Sequence, residues 1–277
     1  MEHTESTFKG VRDLNIYTQG WLPDGKVKAV LLIVHGLGEH SGRYMNVVNH
    51  FVPQGYAIYG FDLIGHGKSE GGREQLRRFE DYTDSLTTYH TMVKAWQPEK
   101  PIILFGHSVG GLIAAWYLID HQEMFKGAII SGPSTKIPSF ITPAIIAMAE
   151  VLSSVAPNTG IFPLDPNAVS RDPEVVKDYI NDPLVFQGKT PALCSVELLK
   201  AMQRVNVDGD KINLPLIIVQ GSEDKLADPS GAQELYDRIS SKDKTLKIYP
   251  GCYHEIHNEP ERLTMFQDLE TWLKAHI

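Results

Sequence analysis

The stretch Gly106-His107-Ser108-Val109-Gly110 sets a hydroxyl nucleophile and an imidazole between two glycines. The apolar run PIILFG leads into it and the apolar run GLIAAWYLI follows. Gly-x-Ser-x-Gly between a buried strand and a helix is the arrangement of a nucleophile elbow, in which a sharp turn pushes the serine oxygen clear of a sheet. Side chains two positions before and after the serine would collide with neighbouring backbone, so Gly106 and Gly110 are needed there. The following helix begins with N–H groups that lack intrahelical partners. The Val109 N–H is therefore expected to face an oxyanion as it develops.

A serine hydroxyl is a poor nucleophile until a base takes its proton. That base is expected to be a histidine oriented by a carboxylate, in the chain order Ser, acid, His. LIIVQGSEDKLADP offers Glu223, Asp224 and Asp228, and LKIYPGCYHEIHNEP offers His254 and His257. Asp224 and His254 occupy loop positions that could face Ser108, with Glu223 and His257 as rivals. Taken singly, an Asp after a strand is usually a cap or turn residue, and a lone His is usually structural. The order of all three features at successive strand ends is what points to chemistry. A second oxyanion donor is expected from VHGLGEHSGRY (34–44), with the Leu37 N–H as the donor. Removing one such donor from a hydrolase costs about 3 kcal/mol of barrier.

Two other motifs fail. GHGKS (65–69) ends like a phosphate-binding loop, but the glycine required five positions before Gly67 is Asp62. GLGEHS lacks the third glycine of a dinucleotide fingerprint. His254 and His257 have no His-Glu-x-x-His context, so a zinc site is not expected.

The elements that must hold these groups are legible in outline. Six apolar runs end in turn residues: 27–36, 56–62, 101–106, 126–132, 214–221 and 245–251. Their Val/Ile/Leu richness suits strands buried on both faces, hence a parallel sheet. Helical patterns lie between them, in RYMNVVNHFVPQG, YTDSLTTYHTMVKAW, PSGAQELYDRISS and PERLTMFQDLETWLKAHI. This alternation predicts an α/β fold, with a strand or two at the sheet edge from FKGVRDLNIYTQGW. It breaks over residues 133–207, an excursion too long for an ordinary loop. We expect residues 1–132 and 208–277 to form the core and 133–207 a helical cap. IPSFITPAIIAMAEVLSSVA in the cap carries a single charge, Glu150. Its apolar excess suits an entrance for a greasy substrate or contact with a membrane surface.

With 277 residues, 42% of them hydrophobic, there is ample material for a core. A net charge of −8 argues against a nucleic-acid surface. MEHTESTFKG has no apolar core, so no signal peptide is expected, and no uncharged run approaches the roughly 18 residues of a bilayer span. Cys194 and Cys252 make neither a disulfide framework nor a metal cluster. Free thiols and a cytoplasmic location are expected, with a peripheral place at a membrane or lipid droplet open to the cap.

HGLGEHSGRY, FDLIGHGKSEGGRE, GHSVGG, NDPLV, QGSEDKLADPSGA and DKTLKIYPGCYHEIHNE together resemble the monoacylglycerol lipase family of α/β-hydrolases. The likeness runs from about residue 8 to the end of the chain. GHSxGG is shared across many α/β-hydrolases; HGxGEHSGRY with DKTLKIYxGxYHxxH is far more specific. The resemblance implies a triad of Ser108, Asp224 and His254, and an oxyanion hole from the Leu37 and Val109 N–H groups. It also implies that Glu39, Arg43, Tyr179 and His257 meet a glycerol head. Where the family usually has methionine after the serine, this chain has Val109, which leaves the N–H in place but alters the pocket wall. The expected activity is hydrolysis of monoacylglycerols through an acyl-enzyme, with no metal or organic cofactor, no obligate protein partner and a neutral-to-alkaline optimum set by His254. Lysophospholipase, broad carboxylesterase and acyltransferase activities are the alternatives within the same chemistry. A hydrolase fold kept only for ligand binding is the alternative outside it.

Overall fold

The computed structural model describes residues 1–138 and 141–277. Positions 139 and 140 of the apolar cap segment lie outside the described residues. The strands in chain order are β1 (Glu2–Lys9), β2 (Asn15–Leu22), β3 (Ala29–Val34), β4 (Tyr56–Phe61), β5 (Ile102–His107) and β6 (Gly127–Ser131). After these come the short pair β7 (Gly160–Pro163) and β8 (Lys189–Pro191), then β9 (Leu216–Gly221) and β10 (Lys244–Tyr249). The helices are α1 (Met45–Phe51), α2 (Glu80–Trp96), α3 (Val109–His121), α4 (Pro143–Val155), α5 (Pro173–Asn181), α6 (Ala192–Asp208), α7 (Pro229–Arg238) and α8 (Arg262–His276).

Eight strands form one sheet in the order β1-β2-β4-β3-β5-β6-β9-β10. The six from β4 to β10 along that order run parallel, and β1 and β2 are antiparallel at one edge. All six apolar runs named above are strands of this sheet. Because side chains alternate along a strand, each run feeds two cores. Val30, Leu32, Val34, Leu104 and Ile130 pack with α2 and α3 on one face. Ala29, Leu31, Ile33, Ile103, Phe105 and Val219 pack with α1 and α8 on the other. The edge differs in extent from the sequence reading. β1 begins at Glu2 and exposes every side chain but Phe8, so it carries no apolar period by which to find it.

Between β6 and β9 the chain leaves the sheet and builds α4, α5 and α6 with the β7–β8 pair above it. Two of these helices start where sequence chemistry dictates. Thr142 accepts from the Ile145 N–H at the head of α4, and Asp172 from the Glu174 N–H at the head of α5, each followed by proline at the first helical position. α6 joins the sheet core through Cys194, Ala201 and Val205. β7 and β8 were not foreseen; at four and three residues they are too short to show a period.

Candidate active site

The loops after β3, β5, β9 and β10 meet at the carboxyl edge of the parallel strands, the place where α/β sheets hold their ligands. At the end of β5 the chain turns into α3 on a single strained residue: Ser108 has φ 56° and ψ −121°. Ladder and helix bonds over-determine that conformation. The Ser108 N–H donates to Ser131 O at 2.9 Å, and its own carbonyl accepts from Gly111, Leu112 and Ser134 N–H groups. A Cβ at Gly110 would lie 2.0 Å from Val34 O, and one at Gly106 2.4 Å from Gly110 O. The two glycines are therefore where no side chain fits, as the spacing required. The Ser108 hydroxyl faces the cavity, where its hydrogen-bond partner is the Ser134 hydroxyl at 3.4 Å.

The rivals left open by the loop sequences separate in space. The His254 Nδ1–H donates to Asp224 Oδ2 at 2.7 Å. That carboxylate also accepts from Gln220 Nε2 at 3.0 Å and from the Leu226 and Ala227 N–H groups at 2.8 and 2.9 Å. Glu223 points to solvent, and Asp228 caps α7. Burial drives the imidazoles of His35, His107 and His257 down, to about 3 for His35 and about 4 for His257. Burial pushes His254 the same way, but the Asp224 charge and hydrogen bond, aided by Glu255 and Glu39, outweigh it and hold His254 above the ordinary histidine range. Of these four rings it alone is made more basic, and it shares the cavity wall with Ser108.

Opposite Ser108 stands the loop after β3. A methyl on Gly36 would sit 3.5 Å from Ser108 Oγ, which places Leu37 beside Ser108. Among the described residues the Leu37 and Val109 N–H groups have no hydrogen-bond partner in the protein. Glu39 steadies this loop by accepting from Gly36 N–H at 2.6 Å and Tyr44 OH at 2.8 Å. The Arg43 guanidinium binds both oxygens of Glu255, at 2.9 and 2.7 Å, and its Nε lies 3.4 Å from Glu39 Oε2. That last contact is an ion pair without hydrogen-bond geometry, since both atoms are otherwise unpartnered. Burial and the Glu255 charge raise the Glu39 carboxyl, whereas Arg43 holds Glu255 low against its own burial.

The four residues proposed for a glycerol head are thus divided. Glu39 and Tyr179 line the cavity; Arg43 and His257 do not. Arg43 lies behind them, 4.6 Å above the Tyr179 ring. His257 is fully buried, stacked on Tyr44 at 4.9 Å with neither ring nitrogen hydrogen-bonded. Reasoning from the sequence missed Ser134 and Glu255 and gave His107 no role, and all three are in the cavity wall. It also missed Gln220 behind Asp224. Glu255 adjoins His254, and that adjacency was the available signal; Gln220 lies inside β9, four residues before Asp224. Most of the rest of the wall is aliphatic, chiefly Ile145 and Ile146 of α4 and Leu198, Leu199 and Met202 of α6.

GHGKS wraps a carboxylate of the chain itself: the Lys68 N–H donates to Asp62 Oδ2 at 2.8 Å. Cys194 and Cys252 are free and buried. Among the described residues one metal-like grouping occurs, Cys252 with Glu259 and Glu261. The Arg171 guanidinium occupies it, with Nε 2.6 Å from Glu259 Oε2 and a further contact to Glu261, so its charge is already answered.

Known proteins resemble this chain over most of its length. Residues 25–261 match the family described as serine aminopeptidase, S33. The chain is 36% identical over 274 residues to a monoacylglycerol lipase of Mycolicibacterium smegmatis, covering 99% of this chain and 98% of that one. It is 33% identical over 261 residues to human monoglyceride lipase, covering 93% and 86%. The crystal structure of a Paleococcus ferrophilus monoacylglycerol lipase superposes with TM-score 0.84 at 29% identity, covering all of both chains. A sheet of this order with a serine elbow at its carboxyl edge is an α/β-hydrolase. Within that class the chain belongs to the monoacylglycerol lipase family.

Proposed function

We propose that this chain hydrolyses monoacylglycerols to fatty acid and glycerol through an acyl-enzyme on Ser108. The observation that carries the proposal is the 2.7 Å bond from His254 to Asp224 at the wall of the same apolar cavity that receives Ser108. Ser108 turns from Ser134 toward His254, which removes its proton as Oγ attacks the ester carbonyl. The Leu37 and Val109 N–H groups bind the resulting oxyanion. His254, as imidazolium beside ionised Asp224, then protonates the departing glycerol oxygen, and water releases the acid with the roles reversed. Glu39 and Tyr179 face the glycerol, with Arg43 and His257 supporting them from behind. The acyl chain lies along the aliphatic wall of α4 and α6.

Residues 133–207 act as the cap over this cavity. α4 turns Met148, Val151 and Val155 outward, 46%, 64% and 75% exposed, and this face makes transient contact with the lipid surface that supplies the substrate. Among the described residues no helix is long and apolar enough to cross a membrane.

The test is covalent labelling by a fluorophosphonate together with a substrate panel of monoacylglycerols, a lysophospholipid, short nitrophenyl esters and an aminoacyl amide. Label on Ser108 and preference for monoacylglycerols are expected. Near-native monoacylglycerol hydrolysis by Ser108→Ala would refute the assignment.

A further inference from the structure

Behind the loop that carries Leu37 lies a carboxyl for which the hydrolytic steps have no use. Glu74 sits between β4 and α2 with its backbone in the left-handed region, at φ 54°, which non-glycine residues seldom adopt. Its N–H is tied to Gly65 O at 3.1 Å, and the residue is 1% exposed. The carboxyl lies against Gly38. A methyl added there would sit 3.3 Å from Glu74 Oε1, 3.6 Å from Phe186 O and 3.8 Å from the Tyr179 hydroxyl. Gly38 in turn accepts from the cap, through the Phe186 N–H at 2.7 Å. The Thr190 hydroxyl of β8 faces the Glu74 carboxyl and favours its ionised form, while Oε2 has no hydrogen-bond partner among the described residues. One buried carboxyl thus touches the oxyanion loop on one side and the cap on the other.

The titratable groups that face it are Tyr82 from α2, Tyr179 from α5 and Cys194 from α6. Burial raises all three, and none supplies a positive charge. Arg73, next in sequence, turns its guanidinium to Gly67 O at 2.9 Å, and Arg43 is held by Glu255. With no counter-charge, burial pushes the Glu74 carboxyl up to about 7, opposed only by the nearby Thr190 hydroxyl. Below that value the group is a neutral acid that fits its surroundings. Above it the same place holds an unpaired buried charge, which destabilises the packing around it.

We propose that Glu74 is a positioning residue that, as a neutral acid, holds the oxyanion loop at Gly36–Gly38 against the cap, and that its ionisation displaces the Leu37 N–H and shuts hydrolysis down on the alkaline side. This rests on the serine-hydrolase reading above and sets a ceiling on a profile whose lower limb belongs to His254.

The test compares the intact protein with Glu74→Gln and Thr190→Val. Turnover and KM for a monoacylglycerol, and the rate of fluorophosphonate labelling, are followed from about pH 6 to pH 9.5. The wild-type protein is expected to lose turnover above neutrality by up to about tenfold per pH unit, as one titrating group requires, with less change in KM. Glu74→Gln, neutral throughout, is expected to lack this limb. Thr190→Val removes a donor that favours the ionised form, so its limb should lie at higher pH. A residue that merely fills space would leave the limb where it was in both variants. An absent wild-type limb, or one that neither variant moves, overturns the proposal; should Glu74→Gln fail to fold, Thr190→Val decides it. Failure of the wild type to label on Ser108 at any pH overturns the hydrolase reading and this proposal with it, whereas normal labelling with an unmoved limb overturns this proposal alone.

Discussion

His254 shows how one ring among several is made more basic. His35, His107 and His257 are equally buried, yet each is driven toward the neutral form because no carboxylate accepts from it. His254 has Asp224 at 2.7 Å and Glu255 next in the chain. Its net shift is upward, so the rate is expected to rise with pH through a value above the ordinary histidine range. Removing the second negative charge with Glu255→Gln should move that rising limb to lower pH, read from kcat/KM against pH. An unmoved limb would show that Glu255 does not act on His254. The sign for stability is the reverse: the imidazolium–carboxylate pair contributes below the histidine range and that contribution is lost as pH rises through the value His254 has in the folded chain. Asp224→Asn would leave the fold in place and present the wrong partner to Nδ1, with a loss in kcat of about 10⁴-fold expected.

The elbow and the cap helix make their predictions at the scale of whole elements. At Gly110 the first turn of α3 passes so close to β3 that a Cβ would stand 2.0 Å from Val34 O and 2.5 Å from His35 O. Both obstacles are backbone, so neither can swing aside. Gly110→Ala is expected to cost at least about 2 kcal/mol, by strain of the overpacking kind, visible as a lower urea midpoint with loss of activity. A midpoint equal to wild type would mean the helix can shift away from the sheet. α4 is a different case, since it leaves Met148, Val151 and Val155 largely exposed. Replacing Met148, Val151 and Val155 together by glutamine is expected to leave the melting temperature nearly unchanged and hydrolysis of a dissolved short-chain ester intact. Sedimentation with lipid vesicles should fall. Unaltered vesicle binding would remove α4 as the contact surface.

Across the whole molecule the segment 133–207 is fastened to the core at more than one place: α6 packs into it through Cys194, Ala201 and Val205, and Glu197 accepts from the Phe79 N–H at 3.0 Å. Around α5 it is tied to the core by His40 Nε2 to Asp182 at 2.8 Å, Phe186 N–H to Gly38 O at 2.7 Å and Glu255 N–H to Val169 O at 2.8 Å. Arg171 completes the set by binding Glu259, whose side chain is fully buried, through its N–H and Nε at 2.6 Å each. Arg171→Ala would leave a buried carboxylate short of its cation, and a loss of about 2 kcal/mol is expected. The cost stays moderate because the Arg171 side chain is 32% exposed. A urea midpoint within error of wild type would show that the cap does not depend on this tie. These ties fall on the loops that carry Leu37 and His254, so the segment 133–207 and those loops are built as one. The amino-acid order by itself determined the sheet and the elbow. Strands buried on both faces must be uniformly apolar, and a strand-to-helix turn over close backbone must be glycine, serine and glycine in their places. It determined the chemistry offered as well: a hydroxyl, then acids, then imidazoles at successive strand ends. Only the tertiary structure decided which acid meets which imidazole. Glu223 and Asp224 are adjacent in the chain, and only the burial of one turns it toward His254. The same holds for the head-group residues, for β1 and for Glu74. Burial, and the absence of a counter-charge, are properties of distant segments brought together, and no local pattern of residue types records them.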